Sequence, residues 1–177
     1  QARTNTLNGP NHGAQGPPGV GRPPLRRSSP RATGRAGVRV SVIAAPSGRP
    51  SLLCHLAGRR PGRSLLLYAH ADTVGVDGMA EPFAGRIDGD RLHGRGALDM
   101  KGSLAAIMTV AAGYARSPDE GDLWLAIVAD EENGSTGSEA VLREIARRGA
   151  TIDGAVVTEP SDLRLMLGHR GFAGHGL

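Results

Sequence analysis

From Val38 onward, short apolar runs alternate with stretches of helical periodicity. Val38–Ile43 and Leu52–Leu56 are β-like runs separated by the breakers Pro46, Gly48 and Pro50. Ser64–Ala69 (SLLLYA) and Leu123–Ala129 (LWLAIVA) are continuous apolar runs, the pattern of strands buried on both faces. Ala155–Thr158 predicts a further strand. Lys101–Ala115 predicts a helix, because Leu104, Ile107, Met108 and Ala111 recur at helical spacing. Ser138–Arg148 predicts a second helix, with Ser138 as N-cap and Val141, Leu142 and Ile145 on one face. Strands that alternate with helices imply an α/β fold: a mostly parallel sheet with flanking helices. No internal repeat is evident.

Residues 1–34 carry no such pattern. They are rich in Pro, Gly, Arg, Ser and Asn, and cannot bury enough surface to offset their ordering entropy, so we expect a disordered basic tail. Charge follows the same division. Residues 1–71 hold eleven arginines and no acid, whereas residues 72–177 hold ten basic against seventeen acidic residues, a net of −7. The overall charge of +4 therefore describes neither part. No aromatic residue interleaves the arginines of the tail, which argues against a single-strand nucleic-acid-binding arm. A targeting segment is the other functional reading of such a tail; its Pro and Gly argue against a transit-peptide helix. No apolar run reaches the roughly 20 residues of a membrane-spanning helix. The single cysteine, Cys54, excludes an intrachain disulfide. Only 3% of residues are aromatic, so the core must rest on Leu, Val, Ile, Ala and Met.

The chemistry-bearing side chains fall at the ends of the predicted strands. His70 and Asp72 follow the first buried run, Asp130, Glu131 and Glu132 the second, and Glu159 the third. Asp99 precedes the first helix. Open α/β sheets bind ligands at the carboxyl ends of their strands, so four segments aim acids or imidazole at one edge. Carboxylates crowded there repel one another and lose solvation, and divalent cations would neutralise them. One His with several Asp and Glu, and no thiolate cluster, suits zinc or a similar first-row ion. The ligand count exceeds the need of one tetrahedral ion and suggests two metals sharing a carboxylate. Singly, each feature has a plainer reading: His70 as a structural histidine, the Asp-Glu-Glu run as a solvated loop, Asp99 as a helix-dipole partner and Glu159 as a turn acid.

The segments LLLYAHADTV, LHGRGALDMKGSLAA (92–106), VADEENGSTGS (128–138) and VVTEPSDLRL (156–165) occur in that order. Together they resemble the metallopeptidase family of acetylornithine deacetylase, succinyl-diaminopimelate desuccinylase, aminoacylase and glutamate carboxypeptidase. The resemblance covers residues 35–177 and implies a role for each site residue. His70 and Glu159 would bind one zinc and Glu132 a second, with Asp99 bridging the two; cobalt could substitute. Glu131 would be the general base. Asp72 would orient His70. Gly94, Gly96 and Gly102 would let the backbone bend around Asp99, and the Asp99–Met100 peptide would be cis. The implied reaction is hydrolysis of an amide bond in an N-acyl amino acid or small peptide.

The resemblance also sets an expectation of incompleteness. Residues 35–167 correspond to the N-terminal part of the catalytic domain. Residues 168–177 (GHRGFAGHGL) correspond to the start of a lid domain, and His169 and His175 match no metal ligand. The final His of the second zinc, and the lid that would select substrate and could form a homodimer contact, would lie further on. We therefore expect little activity from this stretch alone. The alternatives are a related di-zinc aminopeptidase, which GRGALDMKG disfavours, a non-catalytic relative, which the intact acid set disfavours, and a basic nucleic-acid-binding protein using residues 1–63. The expected compartment is the cytoplasm, with no membrane or nucleic-acid partner.

Overall fold

The computed structural model describes residues 37–168; the tail expected over 1–34, and His169 and His175, lie outside the described residues. Seven strands and two long helices follow in the order β1 (Val38–Ile43), β2 (Ser51–Leu56), β3 (Leu65–His70), β4 (Arg86–Asp88), β5 (Arg91–His93), α1 (Gly102–Arg116), β6 (Leu123–Val128), α2 (Thr136–Arg147) and β7 (Gly154–Val157). A wide irregular turn, Ala97–Lys101, leads into α1.

Five strands form one sheet in the order β1-β2-β6-β3-β7. β3 is parallel to both β6 and β7, while β2 is antiparallel to β6 and to β1. The α/β architecture holds, and the sheet is mixed. Its parallel half is the half that carries the acids, because β3, β6 and β7 all end at the same edge.

The helices lie on opposite faces of the sheet. Leu67, Ala69, Leu123 and Leu125 pack with Ile107 and Ala111 of α1 and with Met100. Leu53, Leu66, Trp124, Ala126 and Val128 pack with Val141 and Ile145 of α2. Successive residues of β6 thus alternate between two cores. This is why the run reads as continuously apolar: each face is covered. Each Leu, Ile, Val or Met side chain taken fully from water contributes about 1.5–3 kcal/mol.

The apolar faces assigned to the helices are only partly correct. Met108 is 53% exposed and Leu142 is 55% exposed, because the buried stripe runs through Ile107 and Ala111 in α1 and through Val141 and Ile145 in α2. Both lie on the flank of that stripe. The β4–β5 hairpin was not anticipated: its strands have three residues each, with one apolar residue apiece (Ile87 and Leu92), too short for a period to register, and they are exposed throughout. Nor is Ser138 the cap of α2. The helix begins at Thr136 after Ser135, whose φ is +51°, and the Ser138 hydroxyl instead lies 2.6 Å from the Tyr68 hydroxyl of β3.

Several contacts fix where β6 ends. The N–H of Ala129 donates to the Ser51 hydroxyl at 3.1 Å, and the N–H of Ala71 donates to the Val128 carbonyl at 2.8 Å. Gly137 brings the first turn of α2 against the same place. A Cβ there would overlap the Ala129 carbonyl oxygen and stand 2.7 Å from the Ser51 Oγ. At the far end of α2, Glu144 accepts hydrogen bonds from Arg147 and Arg148, and Arg148 also donates to Ser41 of β1 at 2.9 Å. The bonds from Arg147, then those from Arg148, hold the Glu144 carboxyl at about 2.

Three outcomes are expected. Gly137→Ala should lower stability in urea unfolding by about 1–3 kcal/mol through overpacking. By contrast, Gly113→Ala in α1, where a Cβ meets only the end of the Arg116 side chain at 4.0 Å, should raise it by about 0.5–1 kcal/mol. Because the Glu144 carboxyl titrates lower folded than unfolded, its contribution is complete above the ordinary 4.5 and is lost as pH falls toward about 2. Glu144→Gln should therefore depress the thermal midpoint at neutral pH, with the gap to wild type closing over that acidic interval.

Candidate metal centre

The carboxyl edge of the parallel strands gathers the predicted residues. His70 is the last residue of β3 and is 1% exposed. Its Nε2 stands 3.0 Å from an oxygen of Asp99, 3.8 Å from Glu159 and 3.9 Å from Glu131. Glu131 and Glu159 form one group of potential ligand atoms with His70, and Asp99 and Glu132 form a second, the atoms of each group lying within 4.8 Å of one another. Three carboxylates from three separate segments thus converge on one imidazole nitrogen, with Glu132 grouped beside them. Glu131 stands as close to His70 as Glu159 does, and the division of labour between them comes from the resemblance alone.

The other imidazole nitrogen, Nδ1, is 3.0 Å from the backbone carbonyl of Asp72 and 3.6 Å from its carboxylate. An Nδ1–H donating to that carbonyl leaves the Nε2 lone pair facing the acids, the tautomer that a metal ligand needs. The hydrogen bond of the ring goes to the Asp72 backbone carbonyl, with the side-chain Oδ1 next to the same nitrogen. The Asp72 carboxylate faces the next loop: its Oδ2 accepts the Glu132 N–H at 3.2 Å, and its buried Oδ1 has no hydrogen-bond partner.

Electrostatics record the crowding. Burial lowers the His70 pKa, but the charges of Glu159 and Glu131 and the bonds to Asp72 and Asp99 outweigh it, and the net shift is upward. Burial raises the Glu131 carboxyl; His70 opposes this, while Glu132, Asp72 and Asp99 add to it. Glu159 is raised in the same way, by burial first, against His70 and with Glu131, Asp99 and Glu132. Packing anions this close costs solvation and repulsion that one imidazolium cannot cancel. A divalent cation fits this donor set, one imidazole nitrogen and several hard oxygens, with no thiolate.

The wide turn that presents Asp99 has the expected cis peptide between Asp99 and Met100. Gly96 takes a φ of +79°, and a side chain there would crowd Thr73 and Lys101. Gly102, by contrast, has ordinary helical angles and serves as the first residue of α1. Two residues that sequence reasoning missed brace this turn. Met100 is fully buried, and its sulfur accepts the His70 N–H at 3.2 Å. Lys101 donates from Nζ to the Ala71 carbonyl at 2.6 Å, tying the Asp99 turn to the loop after β3. An apolar methionine and a surface lysine beside a helix give no local signal of such roles. Just after β7, the Thr158 hydroxyl and N–H both donate to the Tyr68 carbonyl of β3, at 2.9 and 3.2 Å, and so fix the approach to Glu159.

With this geometry in view, comparison with known proteins decides the family. The sequence profile of Peptidase family M20/M25/M40 matches residues 66–169. The chain belongs to that family. Succinyl-diaminopimelate desuccinylase from Xanthobacter autotrophicus is 35% identical over 135 residues, covering 72% of this chain and 35% of the relative. The enzyme of the same name from Dinoroseobacter shibae is 34% identical over 121 residues, covering 65% of this chain and 32% of the relative. The chain thus spans about a third of the length of the curated relatives it matches. Among solved structures, an M20 family metallo-carboxypeptidase from Sulfolobus solfataricus aligns with a TM-score of 0.58 at 25% identity, over 68% of this chain and 28% of its own. M20 family proteins are metal-dependent hydrolases, and the donor set at His70 belongs in that setting. Among the described residues no helix is long and apolar enough to cross a membrane.

A divalent ion held at His70 should stabilise the chain by mass action. Zn2+ or Co2+ at about 100 times its dissociation constant adds about 2.7 kcal/mol, visible as a rise of several degrees in the unfolding midpoint. His70→Ala should abolish that rise.

Proposed function

We propose that the protein of which this chain is part hydrolyses an amide bond in an N-acyl amino acid or small peptide. The observation that carries this reading is the clustering of Asp99, Glu131, Glu132 and Glu159 around one buried histidine, at the carboxyl edge of a sheet in a chain of the M20 family. In this reading His70 and Glu159 would hold one zinc ion and Glu132 a second, with Asp99 as a ligand available to both. The tautomer imposed on His70 by the Asp72 carbonyl supports its ligand role. Residues 35–167 are then the first part of the catalytic domain, and the residues from 168 onward lead into a lid.

When bound, the cations supply Lewis acidity toward water and the substrate carbonyl. The residues of this chain do the rest. Glu131 takes a proton from the attacking water on its carboxylate and returns it to the departing amine, since a base in this position must serve as the acid of the reverse step. Asp72 fixes the imidazole through its carbonyl and the Glu132 backbone through its carboxylate, so that one residue aligns the two halves of the site. Met100, fully buried, accepts the His70 backbone N–H on its sulfur and so ties the end of β3 to the turn that carries Asp99.

The names of the curated relatives favour an acyl group carrying a second carboxylate, and N-succinyl amino acids are the first substrates to assay, beside N-acetyl ones. In the whole protein, Glu131→Ala should leave the zinc content unchanged and lower turnover about 10²-fold or more. Elemental analysis and initial rates on the same preparation check both halves. Turnover retained by this variant would remove Glu131 from the base role.

A further inference from the structure

We infer that Asp130 is a positioning residue that aims Glu131 and Glu132 at His70; the inference rests on the reading of that cluster as a metal centre. Three acids stand in a row after β6, yet only two join the groups around His70. Asp130 is 4% exposed and bonds within its own loop. Its φ of +67° turns the chain sharply at the strand end, a conformation that Asp and Asn tolerate better than other side-chain-bearing residues. Its carbonyl accepts the N–H groups of Gly134 at 3.2 Å and Ser135 at 2.6 Å. Its carboxylate accepts the Thr136 hydroxyl at 2.6 Å and the Asn133 side-chain amide at 3.5 Å.

Backbone and side chain of Asp130 therefore close the loop 130–136 on itself. Glu131 and Glu132 are the residues inside that closure that reach the site. They need such restraint, because the acids around His70 repel one another and an unrestrained loop relieves the repulsion by moving its carboxylates into solvent. Two further bonds hold the pair: the Ser135 hydroxyl to the Glu131 carbonyl at 3.2 Å, and the Glu132 N–H to Asp72 at 3.2 Å. Both depend on the path that Asp130 sets. The start of α2 has independent anchors in the Tyr68–Ser138 pair and the Gly137 contact. Loss of the Asp130 carboxylate therefore falls on the Glu131–Glu132 pair more than on the fold.

The test compares Asp130→Ala, Thr136→Val and Asp130→Asn with wild type, using Co2+ alone as probe. Asp130→Asn keeps an oxygen acceptor for Thr136 and the same backbone tolerance while removing the charge. Asp130→Ala and Thr136→Val should weaken Co2+ binding by about tenfold and alter its visible absorption bands, with Asp130→Asn staying within about threefold of wild type. Amide exchange at Glu132 should accelerate in the first two variants and stay slow in the third. Wild-type Co2+ spectra and affinity in Asp130→Ala would overturn the inference, and so would an Asp130→Asn variant as impaired as the alanine. If Asp130→Ala does not fold, Thr136→Val carries the same comparison. If wild type binds no Co2+, the metal reading fails, and Glu132 exchange decides the positioning role: accelerated in Thr136→Val and slow in Asp130→Asn supports it, unchanged in both overturns it.

Discussion

Mutual repulsion among the acids around His70 is the constraint on which the rest of the structure turns. Asp99, Glu131, Glu132 and Glu159 surround an imidazole that is 1% exposed. Left to themselves, these side chains would separate into solvent. The protein prevents this by anchoring each supporting segment away from the site. β3 and β6 run parallel with six paired positions, so His70 and the turn after Val128 leave the sheet side by side. β7 adds Glu159 from the other flank of β3, and the Thr158 bonds to Tyr68 limit its freedom. Asp99 arrives from outside the sheet, on a turn held by Met100 beneath and by Lys101 at the side.

A centre organised in this way is prepared before any ion arrives. The Glu131 and Glu159 carboxyls are raised by burial and by neighbouring acids, and the His70 imidazole is raised by the charges of these two in turn. Cations bound there would offset the crowding, and metal uptake would then be coupled to stability. Hydrogen bonds behind the ligand atoms matter as much as the ligands, because they set tautomer and aim. Asp72 illustrates this: one carbonyl and one carboxylate oxygen link the loop after β3 to the loop after β6.

Most of the fold was legible in the sequence because its signals are local. The strands β1, β2, β3, β6 and β7 and both long helices were expected within a residue or two of where they lie. Continuous apolar runs and helical spacing report burial directly. The β4–β5 hairpin escaped because its strands have three residues each, too few for alternation to stand out, and its apolar pair Ile87 and Leu92 stays exposed. Met108 and Leu142 were assigned to buried faces and proved exposed, since periodicity gives the direction of a face but not its width.

The sequence by itself determined the residue types of the site, their order, and their placement at strand ends, because a parallel sheet sends successive strand termini to one edge. Tertiary structure decided what each acid does there. It turned Asp130 inward while its two neighbours reached His70, and it gave the orienting bond of the imidazole to the Asp72 carbonyl rather than to its carboxylate. It also recruited Met100 and Lys101, whose identities carry no hint of a metal site. The reason is physical: residue type fixes what a side chain can bond, but a left-handed turn or the exit path of a strand fixes which partner it meets. Those paths depend on contacts between segments far apart in the chain, such as Ser51 with Ala129 and Gly137.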